Sequence, residues 1–124
     1  MNVIAWIVQA LLAAVFLGHS WISLIPRQRE RLREGMGYLL DMPAGLRLFA
    51  GVTEGLAAIG LIVPPLVGSA SWLSPLAASG LVVLMLGAMA FHFQRREYPN
   101  VAFNGVLLSM AVFVAVIRWA VEPF

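Results

Sequence analysis

Residues 45–63 read GLRLFAGVTEGLAAIGLIV and run into Pro64 and Pro65. Arg47 and Glu54 are the only charges in the stretch. A bilayer core takes about 20 mostly apolar residues of helix, so this segment reads as a membrane span. A helix on the surface of a soluble protein would carry charge along one whole face. The two prolines mark the expected end of the span, because proline has no backbone N–H to continue the ladder.

Working outward from this span, three more are legible. The first covers about residues 3–25 without a charge and ends before Pro26. The third covers about residues 74–93 and the fourth about residues 101–121. The chain has 124 residues, of which 61% are hydrophobic and 11% charged. Soluble domains carry about 25% charged residues, so a soluble globular protein is excluded. Disorder is excluded too, since it needs low hydrophobicity. The expected fold is all-α, a single integral membrane four-helix bundle. The first span has no basic start, and its apolar stretch exceeds the ~7–15 residues of a signal-peptide core; it is expected to stay in the mature protein.

The connections are unlike one another. Between the first two spans lie Arg27, Arg29, Arg31 and Arg33, with Glu30, Glu34 and Asp41. Between the last two lie Arg95, Arg96 and Glu97. The connection after Pro64, up to Ser74, has no charge. The positive-inside rule puts the six arginines in the cytoplasm and both termini outside, in a bacterial-type inner membrane. Arg118, the one basic residue near the outer face, is expected to snorkel outward beside Trp119, with Glu122 one turn away. Trp21, Trp72 and Trp119 read as interfacial anchors, and Trp6 as a packing residue. Leu32, Met36, Leu39 and Leu40 recur at helical spacing with charges between them. They predict a short amphipathic interfacial helix, either a connector on the membrane surface or a lid over a site.

The inventory removes several chemistries. The chain has no Cys, which excludes thiol–disulfide exchange, Cys-ligated zinc, iron–sulfur clusters and covalent haem. All eight basic residues are Arg, and the net charge of +2 gives no basis for nucleic-acid binding. No phosphate loop or nucleophile elbow is present. Gly51 and Gly55 form a small-xxx-small pair. Such pairs bring membrane helices close, here within the chain or across a homodimer.

An ionisable group inside a span marks a functional site by default. Glu54 is about nine residues into its span, ~13 Å deep at ~1.5 Å per residue, near the midplane of the bilayer. It is placed either in a pair with Arg47 or Asn104 that fixes helix register, or as a ligand or proton site. His19, His92, Arg47 and Asn104 fall in the same half of the bilayer by the same arithmetic. Together they suggest a polar vestibule open to the cytoplasm with Glu54 at its floor; taken singly, His92 and Asn104 also fit helix ends among headgroups. Two His could ligate haem b, or join Glu54 in a metal site, but His19 and His92 have no motif spacing, and no metal is expected. Arg95 and Arg96 suit anionic lipid heads, an anionic ligand or a soluble partner. The outer half of the bundle reads as plain, with Gln9, Ser109 and Arg118 its main polar groups.

The chain resembles the DoxX-like family of small four-span membrane proteins. The residues that carry the resemblance are Phe16-Leu17-Gly18, then Met36-Gly37 and Asp41, then Gly51, Glu54 and Gly60-Leu61-Ile62-Val63-Pro64. His92, Arg95, Glu97, Tyr98-Pro99 and Asn104 complete the set. Relatives often have a Lys shortly after the first-span glycine; this chain has His19-Ser20-Trp21-Ile22 there. The family is named for a membrane subunit associated with thiosulfate:quinone oxidoreduction, and other members look like partners in redox-protection complexes or membrane chaperones. The resemblance implies a redox-associated accessory protein, with a quinone or other lipophile bound around Glu54 and a protein partner in a membrane redox complex. A non-catalytic chaperone or scaffold, and a small proton-coupled transporter, are the alternatives. Whether the chain is an enzyme stays open.

Overall fold

The computed structural model describes residues 2–25, 38 and 42–124. Four helices follow one another: α1 (Asn2–Leu24), α2 (Ala44–Val67), α3 (Leu73–Gln94) and α4 (Tyr98–Val116). A π-helical turn, Ile117–Val121, extends α4. All four are long and apolar enough to cross a membrane. The expected interfacial helix, with Leu32, Met36, Leu39 and Leu40, lies outside the described residues apart from Tyr38.

Buried positions follow a spacing of three and four on α1, α2 and α4. On α1 they are Ala5, Gln9, Leu12, Phe16, Ser20 and Ser23; on α2, Gly51, Glu54, Ala58 and Leu61. On α4 they are Asn104, Leu107, Ala111 and Val114. This spacing puts one seam of each helix into the bundle. The core is built on Leu12, Phe16, Leu61, Leu81, Met85 and Leu107. The opposite faces are equally apolar, with Leu17, Leu56, Val83 and Val106 all exposed. Helices apolar all round belong in lipid.

Small residues set the α1–α2 contact. A Cβ on Gly51 would stand 2.9 Å from Leu24 Cδ2 and 3.2 Å from Ser23 Cβ, and one on Gly55 would stand 2.8 Å from Ser20 Oγ. The Ser20 hydroxyl donates to Gly51 O at 2.6 Å. The face these glycines would offer a second copy is therefore covered by α1 of the same chain.

Two expected boundaries move. The second span does not end at Pro64 and Pro65; α2 runs through both to Val67. Pro65 has no N–H for the carbonyl of Leu61 four residues back. That carbonyl instead accepts from Gln9 Nε2 at 2.8 Å and Ser74 Oγ at 3.0 Å. Side chains on α1 and α3 thus supply the bond the proline cannot, which is how prolines are tolerated in membrane helices. Gly68, with φ 68°, closes α2 in the left-handed conformation, which glycine adopts without strain. The fourth helix starts at Tyr98 rather than at about residue 101, with Pro99 in its first turn, where a missing N–H costs nothing.

Candidate functional site

A cavity of about 600 Å³ lies in the half of the bundle where α1 and α3 end and α2 and α4 begin. Its walls are mostly apolar, from Phe16, Ala57, Leu81, Leu84, Met85 and Leu107. Phe49, Val83 and Phe103 also line it and are exposed on the outside of the bundle. The cavity therefore opens sideways, between α2 and α4 over α3, toward what is lipid in a membrane.

All five residues expected at the vestibule, His19, Arg47, Glu54, His92 and Asn104, line this one cavity. The partner of Glu54, however, is neither Arg47 nor Asn104. It is His19: Nδ1 lies 2.6 Å from Glu54 Oε2, and Nε2 lies 2.6 Å from the Tyr38 hydroxyl. With Glu54 ionised, Nδ1–H donates to the carboxylate and Nε2 accepts from Tyr38 or, in the imidazolium, donates to it. With Glu54 protonated, its O–H donates to Nδ1 and Nε2–H donates to Tyr38. Either way Glu54, His19 and Tyr38 form one line along which a proton can be redistributed.

Tyr38 was not expected here. It falls off the Leu32–Met36–Leu39–Leu40 spacing, and its only signal was an amphipathic ring in a segment next to the vestibule. It is buried, and its ring packs edge-on to His92 at 4.4 Å between centroids and near-parallel to His19 at 6.2 Å. Burial, reinforced by the carboxyls of Glu54 and Glu97, pushes the Tyr38 hydroxyl well above the usual tyrosine range, so it stays neutral, able to donate to or accept from His19.

On the other side of Tyr38, His92 Nδ1–H donates to Glu97 Oε1 at 2.9 Å, and Arg95 Nε donates to the same oxygen at 3.0 Å. Burial pushes the Glu97 carboxyl up, but these hydrogen bonds and the adjacent charges outweigh it and hold it below the usual carboxylate range. Arg95 and Arg96 do not line the cavity; both are exposed at the α3–α4 corner, where Arg95 also sits 5.5 Å over the Phe91 ring.

Two polar groups in the cavity have no side-chain hydrogen-bond partner among the described residues, and a third is only half used. Arg47 Nε is buried and unpaired. Asn104 makes no side-chain hydrogen bond, and His92 uses only Nδ1. Buried polar groups in proteins are nearly always satisfied, and in lipid the penalty for an orphan is larger. Among the described residues no three His, Asp or Glu side chains come together as a metal-ligand set.

The expectation of a plain outer half is overturned. Arg118 does not snorkel outward; it is 2% exposed, beneath the Phe124 and Trp6 rings at 4.0 and 5.6 Å. Its Nε donates to Gln9 Oε1 at 2.7 Å, and Nη1 donates to Asn2 Oδ1 at 2.7 Å and to the Glu122 carbonyl at 3.1 Å. Gln9 is in turn the residue that caps the freed Leu61 carbonyl. The sequence signal for this cluster was a buried-spaced Gln opposite a proline inside a span.

Four apolar helices around a mostly apolar cavity with a few polar groups define the class: a small multi-pass membrane protein. The model of the DoxX-like family matches residues 7–114, and the chain belongs to that family. No curated protein and no solved structure matches it.

Proposed function

We propose that the protein binds a lipophilic molecule whose head group carries hydrogen-bond acceptors, of the quinone class, and serves a membrane redox complex as an accessory subunit. The observation that carries this reading is the buried, unpaired Arg47 Nε in a mostly apolar cavity of about 600 Å³ that Asn104 and His92 also line. A volume of about 300–1,000 Å³ with a few convergent polar groups is typical of small-molecule sites. A quinone head presents two carbonyl oxygens, which accept and do not donate. Arg47 and Asn104 supply donors for them. The tail leaves between Phe49, Val83 and Phe103 into the bilayer.

The Glu54–His19–Tyr38 line gives the site a proton to exchange with such a head when its charge changes. The chain has no Cys and so no thiol of its own to exchange electrons; in this reading a partner protein supplies them. With the arginine-rich face taken as cytoplasmic, the cavity lies on the cytoplasmic side of an inner membrane.

The test is mass spectrometry of lipophiles that co-purify with the protein in a mild detergent. Wild type is expected to retain a quinone that Asn104→Leu and Arg47→Leu lose. Identical profiles in all three proteins would overturn the reading and leave a structural bundle.

A further inference from the structure

Two histidine–carboxylate pairs flank Tyr38 at the cavity. In each, Nδ1 faces the carboxyl: His19 at 2.6 Å from Glu54 Oε2, and His92 at 2.9 Å from Glu97 Oε1. The pairs differ at the second ring nitrogen. His19 Nε2 is taken by the Tyr38 hydroxyl at 2.6 Å. His92 Nε2 has no hydrogen-bond partner among the described residues, and His92 lines the cavity. The His92 ring is 4% exposed and fixed edge-on against Tyr38 at 4.4 Å and Phe91 at 5.4 Å between centroids. A ring nitrogen held this way in a mostly apolar wall calls for a partner.

We infer that His92 is the residue through which the cavity exchanges a proton with its ligand, Nε2 accepting from the hydroxyl of a hydroquinone head and donating to the carbonyl of the quinone. This rests on the quinone-class reading above. The tautomer follows from Glu97. Burial works against its ionisation, but its hydrogen bonds and the adjacent charges hold the carboxyl below the usual carboxylate range. At neutral pH it therefore only accepts, and His92 Nδ1 carries the hydrogen. Neutral His92 then has a bare Nε2 that accepts; the imidazolium has an N–H there and donates. In the hydroquinone complex the head O–H bond breaks and the Nε2–H bond forms. This leaves a phenolate and an imidazolium, the latter stabilised by Glu97. The reverse step returns the proton, and no electron moves in either direction.

The other titratable or charged groups around the ring are Tyr38, with His19 and Glu54 behind it, Arg47 on α2, and Arg95 and Glu97 at the corner. The polar group from α4 is the uncharged Asn104. His92→Gln leaves all of these in place, so their share of any pH dependence survives in that variant.

The experiment is anaerobic calorimetric titration of the purified chain in detergent with a decyl-tailed benzoquinone and, separately, its hydroquinone. Titrations run from about pH 5 to about pH 8, where histidine changes charge. In wild type the ratio of hydroquinone to quinone affinity is expected to rise by about tenfold toward the alkaline end, the worth of roughly one hydrogen bond. In His92→Gln the ratio is expected to stay flat. Glu97→Gln keeps His92 but lets its ring take either tautomer, and is expected to narrow the alkaline preference. It also serves where His92→Gln does not fold. A purely packing role for His92 would move none of these ratios. Binding of both forms at a ratio constant with pH, or a pH-dependent ratio that persists in His92→Gln, overturns this proposal alone. Binding of neither form to wild type overturns the quinone-class reading with it.

Discussion

Glu54 on α2 and His19 on α1 meet at 2.6 Å, the second-span carboxyl against the ring of the residue that follows Gly18. The two helices are thereby tied by a pair of titratable groups as well as by the close approach of Gly51 and Gly55. Glu54→Ala is expected to lower stability by about 1–3 kcal/mol, the cost of leaving a buried partner unsatisfied. Glu54→Gln keeps an oxygen and an N–H in place and is expected to lose less. Unfolding in detergent should rank wild type above Glu54→Gln, and Glu54→Gln above Glu54→Ala. Equal stabilities would mean that the pair does not hold α1 to α2.

Tyr38 gives a spectroscopic reading of the same site. The chain has two tyrosines, so Tyr98→Phe leaves Tyr38 as the sole source of phenolate absorbance. Burial and the Glu54 and Glu97 carboxyls raise its pKa, and the phenolate is expected only above the ordinary tyrosine range. A raised pKa means the folded state holds the proton more tightly than the unfolded one. The associated stability is complete below the unfolded value, ~10, and is lost as pH rises through the folded one. A normal titration curve in folded protein would place Tyr38 in water rather than against His19 and His92. Tyr38→Phe keeps the ring against His92 and removes the hydroxyl from His19, at about 1 kcal/mol.

The contact between α1 and α2 has a sharp steric signature. Gly55→Ala puts a methyl 2.8 Å from Ser20 Oγ, whose hydroxyl is fixed on Gly51 O. Either the hydroxyl leaves its acceptor or the helices part. Overpacking of this kind costs about 1–3 kcal/mol. Ser20→Ala removes the offending oxygen, and its own Cβ stands at an ordinary 3.6 Å. The double variant is expected to recover much of the loss, and a double-mutant cycle in thermal unfolding measures the coupling. Additive losses would show that the two residues do not touch.

The four spans were legible because lipid allows only closed hydrogen-bond ladders, and about 20 apolar residues per crossing leave few alternatives. The convergence of His19, Arg47, Glu54, His92 and Asn104 was legible from depth alone, since 1.5 Å per residue is fixed by helix geometry. Pairing was not. Depth does not give rotation about the helix axis, so where a pair was weighed for Glu54, beside a ligand or proton role, the candidates were Arg47 and Asn104, and the residue it meets is His19. The prolines misled for a related reason. Proline ends a helix only where its orphaned carbonyl finds no other donor, and Gln9 and Ser74 on other helices supply two to Leu61 O. Arg118 was assigned to the interface because single-residue rules send arginine to water; its burial depends on Gln9 and Asn2, 109 and 116 positions away.

The α3–α4 corner should make stability fall in acid. Glu97 Oε1 accepts from His92 Nδ1 and Arg95 Nε, and its pKa lies below the ordinary 4.5. A lowered carboxyl pKa means the unfolded chain binds the proton more readily. The contribution is therefore complete above about pH 4.5 and is lost as pH falls through the lower folded value. Glu97→Gln cannot ionise, so it loses some stability at neutral pH and shows a flatter acid limb than wild type. Because the same carboxylate fixes His92, whose ring packs on Tyr38, the variant is also expected to weaken retention of a lipophile in the cavity. Melting temperatures from pH 7 to pH 3 check the first point, and co-purification checks the second. Parallel acid limbs in the two proteins would mean that other carboxyls carry the acid sensitivity.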